Sequence, residues 1–442
     1  MIKLLIGGSP CTYWSIAQKN NRETEPGGMG WELFENYLIA KEKFKPDFFL
    51  YENNKSAAQA IKDDIKKRLE VWDGTLLMPD SGARYIEINS ALVSAQNRQR
   101  FYVHNCGEVG QPADRGILLK DILETGQGWT DKSHAMTASY SKAIVKNTIA
   151  RHQRTMVAEP VCVAQRGRYT DTGNRSKKTA GKVEQYFEAR EDSKTNALTT
   201  VQKDNGVAVP VRVGTYPSTA KNKDSRQYRI YSEQGKATTL CGEGGGMGAK
   251  TGLYAIPICY GAVAVEFDEN GNPIKARSCV DGKIYVVYEV RDGQISFKDK
   301  QYPIKLADGF YIIRKLTVTE CCRLQTMPDN YCRAVSATQG YRGLGNGWTA
   351  EVIIHILNGA LKDVPKDEEI VVLSMYDGIG TGRYCLDKMG FTNVKYYAYE
   401  IDKFAMQVAM SNYPDIVQCG DAFQVRQPDW KLNWLQPSGR RR

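Results

Sequence analysis

The sequence predicts an α/β protein with a β-rich insertion, and three observations support this prediction. Residues 1–110 alternate between strand-like and helix-like segments, and the same alternation resumes after residue 316. The segment between them has short strand-like runs and many glycines and threonines. We therefore expect three consecutive segments, 1–115, 116–315 and 316–442, of which the first and last build one sheet.

The first segment begins with an apolar run, Leu4 to Ile6, that ends at Gly7-Gly8-Ser9-Pro10-Cys11. The glycine pair allows a sharp turn after a buried strand, and Pro10 stiffens the turn that presents the thiol. Ligands of open α/β sheets bind at the carboxyl ends of strands, so Cys11 is a candidate nucleophile. The alternative is a small buried hydrophobe. The later elements predicted in this segment are a loop over 12–30, helices over 31–44 and 56–69, and strands over 48–51, 85–88 and 100–103.

The middle segment contains a weak internal repeat and most of the excess positive charge. Residues 131–256 hold 21 Lys and Arg against 11 Asp and Glu, which accounts for the net charge of +10. Such a segment suggests phosphate contacts, and a solvated basic surface is the alternative. The glycine-rich run 242–248 lacks the Lys-Ser/Thr ending of a phosphate loop and is interpreted as a flexible loop. The repeat units contain residues 135–137, 196–200 and 237–240 and end at Pro160, Pro210 and Pro257.

The composition argues against several classes of protein. Eleven cysteines contain no C-x-x-C pair and four histidines form no metal-binding motif, so we expect reduced thiols and no structural zinc. No apolar run approaches the length that spans a bilayer, and the amino-terminal strand does not resemble a signal peptide. These features predict a soluble, cytoplasmic protein.

The last segment carries a nucleotide-binding pattern. A strand over 369–375 leads into Asp377-Gly378-Ile379-Gly380-Thr381-Gly382 and a helix. Glycines let the backbone approach a ligand closely, and an acidic residue about 20 positions later typically binds ribose hydroxyls. Glu400 ends the next strand, 394–399, at this offset, and Asp421 follows the strand 416–419. The pattern predicts an adenosine-containing cofactor, with a dinucleotide and S-adenosylmethionine both open. Before this pattern, a helix with Thr317 as its cap and Glu320 three residues on is predicted, followed by a helix over 349–361.

Together, these residues resemble the DNA cytosine C5-methyltransferase family. The order of the motifs differs from most members, in which the cofactor motifs precede the Pro-Cys strand. The resemblance is to a circularly permuted member: a Rossmann-like S-adenosylmethionine-dependent methyltransferase sheet with an inserted β-rich target recognition domain over 116–315. The family motifs appear as Pro10-Cys11, Glu52-Asn53, Gln96-x-Arg98-x-Arg100, Leu316 to Asp329, Gly345-Asn346, Asp377 to Gly382, Glu400 and Gly420-Asp421. Asn54 stands where the family usually has valine.

The resemblance implies a role for each motif. Cys11 adds covalently to C6 of cytosine, Glu52 protonates N3, and Arg98 and Arg100 hold the base O2 and a phosphate. The DNA-binding residues implied are Ser15, Asn53 and Gln96. The residues implied in binding S-adenosylmethionine are Pro10, Asn346, Tyr376, Asp377, Gly378, Gly380, Thr381, Gly382, Glu400, Ile401, Asp421 and Ala422.

The expected reaction is methyl transfer to C5 of a cytosine in duplex DNA. The base must leave the stack to react, and the loop 12–30, with glycines at 27, 28 and 30, is expected to close over it. The resemblance favours a monomeric enzyme that binds double-stranded DNA, no membrane and no metal, in a prokaryotic or phage-infected cell. A solitary modification enzyme is favoured, and a partner restriction nuclease stays open. Two alternatives are a tRNA cytosine methyltransferase and a DNA-binding homologue without catalysis.

Overall fold

The computed structural model describes the backbone of residues 1–16, 22–74, 81–169, 183–188, 205–206, 212–215, 229–231, 253–254, 261–269 and 272–431. Side chains are described for the same residues except Cys11, Asn147 and those from 162 to 254. The chain forms two compact units. The first contains residues 1–122, 132–142 and 317–442, and the second contains 123–131 and 143–316.

Helices and strands are numbered in chain order. The amino-terminal elements are β1 (Ile2–Gly7), α1 (Gly28–Phe44), β2 (Phe48–Asn54), α2 (Gln59–Arg68), β3 (Arg84–Asn89), β4 (Gln96–Asn97), β5 (Gln99–His104) and β6 (Ser133–His134). The middle elements are α3 (Val145–Ile149), β7 (Met156–Tyr169), β8 (Val183–Glu188), β9 (Asn205–Gly206), β10 (Arg212–Thr215), β11 (Arg229–Tyr231), β12 (Leu253–Tyr254), β13 (Ala262–Phe267), β14 (Pro273–Ser278), β15 (Ile284–Arg291), β16 (Gln294–Phe297), β17 (Lys300–Pro303) and β18 (Gly309–Lys315). The last elements are α4 (Val318–Leu324), α5 (Ala337–Asn346), α6 (Ala350–Leu361), β19 (Ile370–Met375), α7 (Thr381–Lys388), β20 (Val394–Tyr399), α8 (Lys403–Asn412) and β21 (Val417–Gly420).

The first unit is built on a seven-stranded sheet in the order β21-β20-β19-β1-β2-β5-β3. Neighbouring strands from β21 to β2 are parallel, whereas β5 runs antiparallel to both β2 and β3. The strands β1 and β19 are mostly apolar, as expected for central strands of a parallel sheet, and Leu4 to Ile6 are fully buried. The predicted joining of the first and last segments in one sheet is confirmed.

The central pair of this sheet comes from opposite ends of the chain. Strand β1 lies parallel to β19 in continuous register from Ile2–Ile370 to Gly7–Met375. From β19 the chain continues outward to β20 and β21, and from β1 it continues the other way to β2. The strand order therefore reverses between β19 and β1, and in open α/β sheets ligands bind beyond the carboxyl ends of strands at such a point.

Several predicted boundaries shift in ways that matter for the site. Helix α1 begins at Gly28 rather than at Trp31. Gly28 and Gly30, which were predicted to lie in the loop, therefore belong to the first turn of the helix. Strand β2 extends to Asn54, which places Glu52 and Asn53 within the strand rather than after it. The predicted cap of α4 is confirmed, because the Thr317 hydroxyl accepts from the Glu320 N–H and the Glu320 carboxylate accepts from the Thr317 N–H.

The second unit contains a closed ring of strands. Strands β14, β13, β7, β18 and β15 pair in that order, and β14 also pairs with β15, which closes the ring. Closure removes free strand edges, and a hairpin of β16 and β17 extends from β15. Small and branched side chains pack together in this unit, among them Val161, Ala262, Ala264, Ala276 and Ile312.

The structure describes only part of the middle segment, and one of its predicted boundaries shifts. Residues 132–142 lie in the first unit, because the Lys132 ammonium donates to the carbonyls of Ala91 (2.7 Å) and Ser94 (3.1 Å). The repeat units after Pro160, the glycine-rich run 242–248 and most of the basic segment lie outside the described residues. Within the described part of the chain, no helix combines the length and apolarity needed to cross a bilayer.

Candidate active site

The candidate site lies at the carboxyl edge of the central strands of the first unit. Strand β1 ends at Gly7 and β2 at Asn54, while the antiparallel strand β5 begins at this same edge with Gln99 and Arg100. The pairing of Asn54 with Arg100 places a guanidinium beside the end of β2. The short 3₁₀ helix Cys11–Tyr13 follows β1, and the Cys11 side chain lies outside what the structure describes.

Glu52 is held by two side-chain donors, one for each carboxylate oxygen. Oε1 lies 3.0 Å from Nε of Arg100, and Oε2 accepts a 3.0 Å hydrogen bond from the Trp348 indole N–H. Both members of the ion pair are largely buried, since 12% of the Glu52 side chain and 11% of the Arg100 side chain are exposed. Gly8 permits this approach, because a Cβ there would lie 2.6 Å from the Glu52 carbonyl oxygen and 2.9 Å from Oε2.

Asn53 holds the segment that leads to Cys11. Its buried amide donates to the Ser9 carbonyl at 2.9 Å, to the Ser9 hydroxyl at 3.2 Å and to the Tyr51 hydroxyl at 3.2 Å. The hydroxyls of Ser9 and Tyr51 are 2.7 Å apart. Burial raises the pKa of Tyr51, so that its hydroxyl stays a neutral hydrogen-bonding group. In this structure the contacts of Asn53 are to protein atoms, and they fix the turn before the cysteine.

Arg98 and Gln96 are buried and also contact protein atoms. The Arg98 guanidinium donates to the carbonyls of Met136 (3.0 Å), Gly345 (3.2 Å) and Gly347 (2.8 Å). Gln96 donates to the Leu324 carbonyl at 2.8 Å and to the side-chain oxygen of Gln325 at 3.0 Å. Arg98 therefore supports the turn at the end of α5, and Gln96 supports the end of α4, whereas Arg100 is the arginine that contacts the carboxylate.

Trp348 is a site residue that sequence reasoning missed. It lies two residues beyond the Gly345-Asn346 motif, and its contact with Glu52 joins positions 296 residues apart. An aromatic residue directly after a glycine-rich motif was the available signal, but no spacing rule connects it to Glu52. Gly345 is required by packing here, since a Cβ would lie 2.3 Å from the Thr137 carbonyl carbon.

The glycine turn after β19 lies against Glu400. Gly378 and Gly380 have φ values of 63° and 79°, in the left-handed region that glycine adopts without strain. The Gly378 N–H donates to Oε2 of Glu400 at 2.8 Å, and the N–H groups of Ile401 and Asp402 donate to Oε1 at 2.8 Å each. Backbone donors thus hold the Glu400 carboxylate beside the turn.

Asp377 contributes a second, buried carboxyl. Its Oδ1 accepts from the hydroxyls of Ser374 (2.7 Å) and Tyr396 (2.6 Å), while its Oδ2 is shielded from solvent and has no hydrogen-bond partner. Burial raises the pKa of Asp377 to about 6, against the two hydrogen bonds, which lower it.

The remaining predicted cofactor residues differ in exposure. Ile401 is 72% exposed and presents an apolar surface next to Glu400. Asp421 is exposed and caps the 3₁₀ helix Ala422–Arg426, and its Oδ1 accepts from the Phe423 N–H at 2.9 Å. Of the others, Pro10 and Asn346 are exposed, Gly378 and Tyr376 are partly buried, and Thr381, Gly380, Gly382 and Ala422 are buried.

The predicted lid is anchored at both of its described ends. Trp14 is fully buried, and its indole N–H donates to Glu23 at 2.9 Å. The other Glu23 oxygen accepts from the Gly30 N–H at 3.1 Å, so Gly30 serves close packing at the start of α1. Ser15 is partly buried, and its hydroxyl accepts from the Asn54 amide at 3.4 Å. The loop's residues 17–21 lie outside the described residues.

Metal binding has no candidate among the side chains that the structure describes, since these contain no cluster of three or more His, Cys, Asp or Glu residues able to hold an ion.

Comparison with known families gives one match that covers most of the chain. The model of the C-5 cytosine-specific DNA methylase family matches residues 1–362. A search of the curated proteins found no match. The matched range includes Glu52, Arg98, Arg100 and the turn that carries Trp348, and it ends before β19. The chain therefore belongs to the C-5 cytosine-specific DNA methylase family.

Proposed function

We propose that this protein transfers a methyl group from S-adenosylmethionine to C5 of a flipped-out cytosine within a specific duplex DNA sequence. The observation that carries the proposal is the position of Glu52. Its buried carboxylate lies between Arg100 and Trp348 and against Gly8, three residues before Cys11. A carboxyl beside the end of the Pro-Cys strand is what cytosine activation requires.

Cytosine C5 is a poor nucleophile, and the proposed roles of Cys11 and Glu52 solve this problem. The Cys11 thiolate forms a bond to C6, and the displaced electron pair of the ring moves toward N3. Glu52 acts here in its protonated form: it gives its proton to N3 and becomes a carboxylate, which prevents a negative charge from building up on the ring. After methyl transfer, a base takes the C5 proton, the C5–H electron pair forms the C5=C6 bond, and the Cys11–C6 bond breaks with its electron pair leaving on the sulfur. N3 returns its proton to the Glu52 carboxylate, which restores the starting state of the enzyme.

Arg100 orients Glu52 and contributes positive charge at the site. Its Nε contacts the carboxylate, while its NH1 donates to the Gln99 carbonyl at 2.9 Å. A nearby guanidinium also favours the ionised form of a thiol, which is the nucleophile. For Arg98, Ser15, Asn53 and Gln96 we propose that any effect on base or DNA binding is exerted through the segments that they hold.

The cofactor residues fit S-adenosylmethionine. When bound, this cofactor supplies an electrophilic methyl group on a sulfonium. We assign Glu400 as the acceptor for ribose hydroxyls, the exposed Ile401 side chain as the apolar contact for the adenine ring, and Asp421 as the acceptor for the adenine amine.

We further propose that the catalytic sheet is circularly permuted. Two observations support this reading. The strand with the glycine turn, β19, lies beside the first strand of the chain, and the family match stops at residue 362, before β19 begins. A cut between surface elements of a packed sheet leaves its interior unchanged.

The insertion is proposed as the target recognition domain. The basic excess over 131–256 suits contacts with phosphates, which fix register, while a few side chains read base edges in the major groove. We propose a monomeric enzyme that acts on the DNA of a prokaryotic or phage-infected cell without a partner nuclease. The chemistry requires the target base to leave the duplex stack.

A side-by-side assay tests the proposed substrate. Purified protein with radiolabelled S-adenosylmethionine is offered unmethylated duplex DNA and unmodified tRNA at equal cytosine concentration. Label is expected in the DNA, and bisulfite sequencing of that DNA should show 5-methylcytosine at one short motif. Transfer to tRNA alone would contradict the DNA proposal, and transfer to neither would contradict the enzymatic one.

A further inference from the structure

We propose that Trp348 is a positioning residue for Glu52, which it holds in the orientation that receives the target cytosine. The inference rests on the proposed function and adds a residue to it. It also separates the roles of the two arginines in Gln96-x-Arg98-x-Arg100. Arg100 holds Glu52 directly, whereas Arg98 holds the turn that carries Trp348.

The first step is the symmetry of the contacts to Glu52. A guanidinium N–H and an indole N–H each lie 3.0 Å from a different carboxylate oxygen. Because the side chain is largely buried, water does not readily replace either donor. With Arg100 alone, the carboxyl group would be free to rotate about its terminal bond, and the indole removes this freedom.

The second step is the rigidity of the turn before Trp348. Arg98 donates to the carbonyls of Gly345 and Gly347, and Gln325 donates to the Leu344 carbonyl at 2.6 Å. The side-chain oxygen of Gln325 in turn accepts from the hydroxyl of Thr349 at 2.9 Å. Buried side chains therefore fix the residues on both sides of Trp348. The backbone position of Trp348, and with it the position of the indole, is restricted as a result.

The third step is the direction in which the contact lies. Oε2, the oxygen that Trp348 contacts, is also the one that a Cβ on Gly8 would approach to 2.9 Å. It is thus the oxygen on the side of the segment that leads to Cys11. A donor fixed to this oxygen sets the carboxyl plane before the base arrives, which is preorganisation of a catalytic group.

Trp348→Phe tests the inference because it removes the N–H and keeps an aromatic ring. Methyl transfer to unmethylated duplex DNA is measured in single turnovers, together with the dissociation constants for DNA and S-adenosylmethionine and the Tm. Trp430→Phe is the matched control, since its indole N–H donates at 2.6 Å to the Tyr399 hydroxyl rather than to Glu52. Each tryptophan substitution is also made in the E52A background, which gives a double-mutant cycle with Glu52.

The expected result is a fall of about tenfold in the single-turnover rate of W348F, with both dissociation constants within about twofold of wild type. W430F should retain the wild-type rate. In the E52A background, W348F should change the residual rate by less than about twofold, because a residue that acts through Glu52 has nothing left to position.

Three results would overturn the inference. An unchanged rate in W348F would show that the indole has no role, with the proposed function intact. An equal fall with and without Glu52 would show a general structural role for Trp348. A wild-type protein that transfers no methyl group to DNA would remove the proposed function and this inference together.

Discussion

Two carboxylates at the same edge of one sheet are held in opposite ways. Glu52, on β2, accepts from the side chains of Arg100 and Trp348. Glu400, after β20, accepts from three backbone N–H groups, those of Gly378, Ile401 and Asp402. Backbone donors depend only on the path of the chain, whereas side-chain donors depend on individual residues.

The difference matches the tasks proposed for the two groups. A carboxylate that only accepts from a cofactor needs a fixed place, which a glycine turn supplies without further residues. A carboxyl that transfers a proton must be held in one orientation toward the base, and the guanidinium and the indole hold it from side chains. Changes at Glu52 should therefore act on the rate, and changes at Glu400 on cofactor affinity.

The largest expected effect is that of Glu52→Gln. The amide keeps the shape of the side chain but has no acidic proton for N3, so we expect kcat to fall by about 10²- to 10⁴-fold. Steady-state assays on duplex DNA measure this, and calorimetric titration should show an unchanged affinity for S-adenosylmethionine. A loss of affinity with kcat preserved would reverse the comparison between the two carboxylates.

Arg98→Ala should affect stability more than chemistry. Three carbonyls lose their charged donor, two of them in the turn before Trp348, and we expect the free energy of unfolding to fall by about 3 kcal/mol. Urea unfolding measures the change. Arg291→Ala, at a side chain that is 74% exposed, is the control and should leave stability unchanged. An Arg98→Ala protein as stable as wild type would contradict the proposed stabilising role of the three Arg98 hydrogen bonds.

Asp377 should make stability depend on pH. Its raised pKa, about 6, means that the folded state binds the proton more tightly than the unfolded state, whose pKa is near 3.8. The stabilisation is complete below the unfolded-state pKa and is lost as the pH rises through about 6. Relative to Asp377→Asn, wild type should gain about 1.4 kcal/mol in unfolding free energy from pH 7.5 to pH 5.

Urea unfolding of both proteins at both pH values checks this prediction for Asp377. The exposed Asp363 supplies the control, since Asp363→Asn should show the pH dependence of wild type. If the difference in unfolding free energy between wild type and D377N stayed constant between pH 5 and pH 7.5, the raised pKa of Asp377 would be refuted.

Glu400→Gln has an expected effect as small as that of Asp377. The amide still accepts from the backbone N–H groups through one oxygen, but the charged acceptor for ribose hydroxyls is lost. We expect affinity for S-adenosylmethionine to fall about tenfold, or about 1.4 kcal/mol, with kcat at saturating cofactor within about twofold of wild type. Titration calorimetry checks this result. A large fall in saturated kcat would show that both carboxylates act on the chemical step.

The local parts of the site were predictable from the sequence. Strand β1 with its Pro-Cys ending, the capped start of α4 and the glycine turn with Glu400 each occupy a short stretch whose residue types have a direct physical meaning. The adjacency of β1 and β19 followed from the family resemblance and is confirmed by their register.

The long-range parts were not predictable, because they depend on packing between distant residues. Periodicity and spacing do not show that Trp348 reaches Glu52, or that Arg98 clamps the turn at 345–347 instead of facing outward. Gly8 was interpreted as a residue that allows a sharp turn, and the structure adds the close approach of Glu52 as a constraint on it. The closing pair of β14 and β15 likewise depends on three-dimensional curvature.

The most direct measurement of the central claim is covalent capture of the protein on DNA. Duplex DNA of the methylated motif, with 5-fluorocytosine at the target, is incubated with the protein and S-adenosylmethionine and then denatured. Release of the cysteine requires a base to remove a proton from C5. With fluorine at C5 there is no proton to remove, so the cysteine should stay attached to C6. A denaturation-resistant complex is predicted for wild type and none for Cys11→Ser, with DNA binding retained by both. A wild type that methylates cytosine but forms no such complex, or a complex that persists in C11S, would contradict the account.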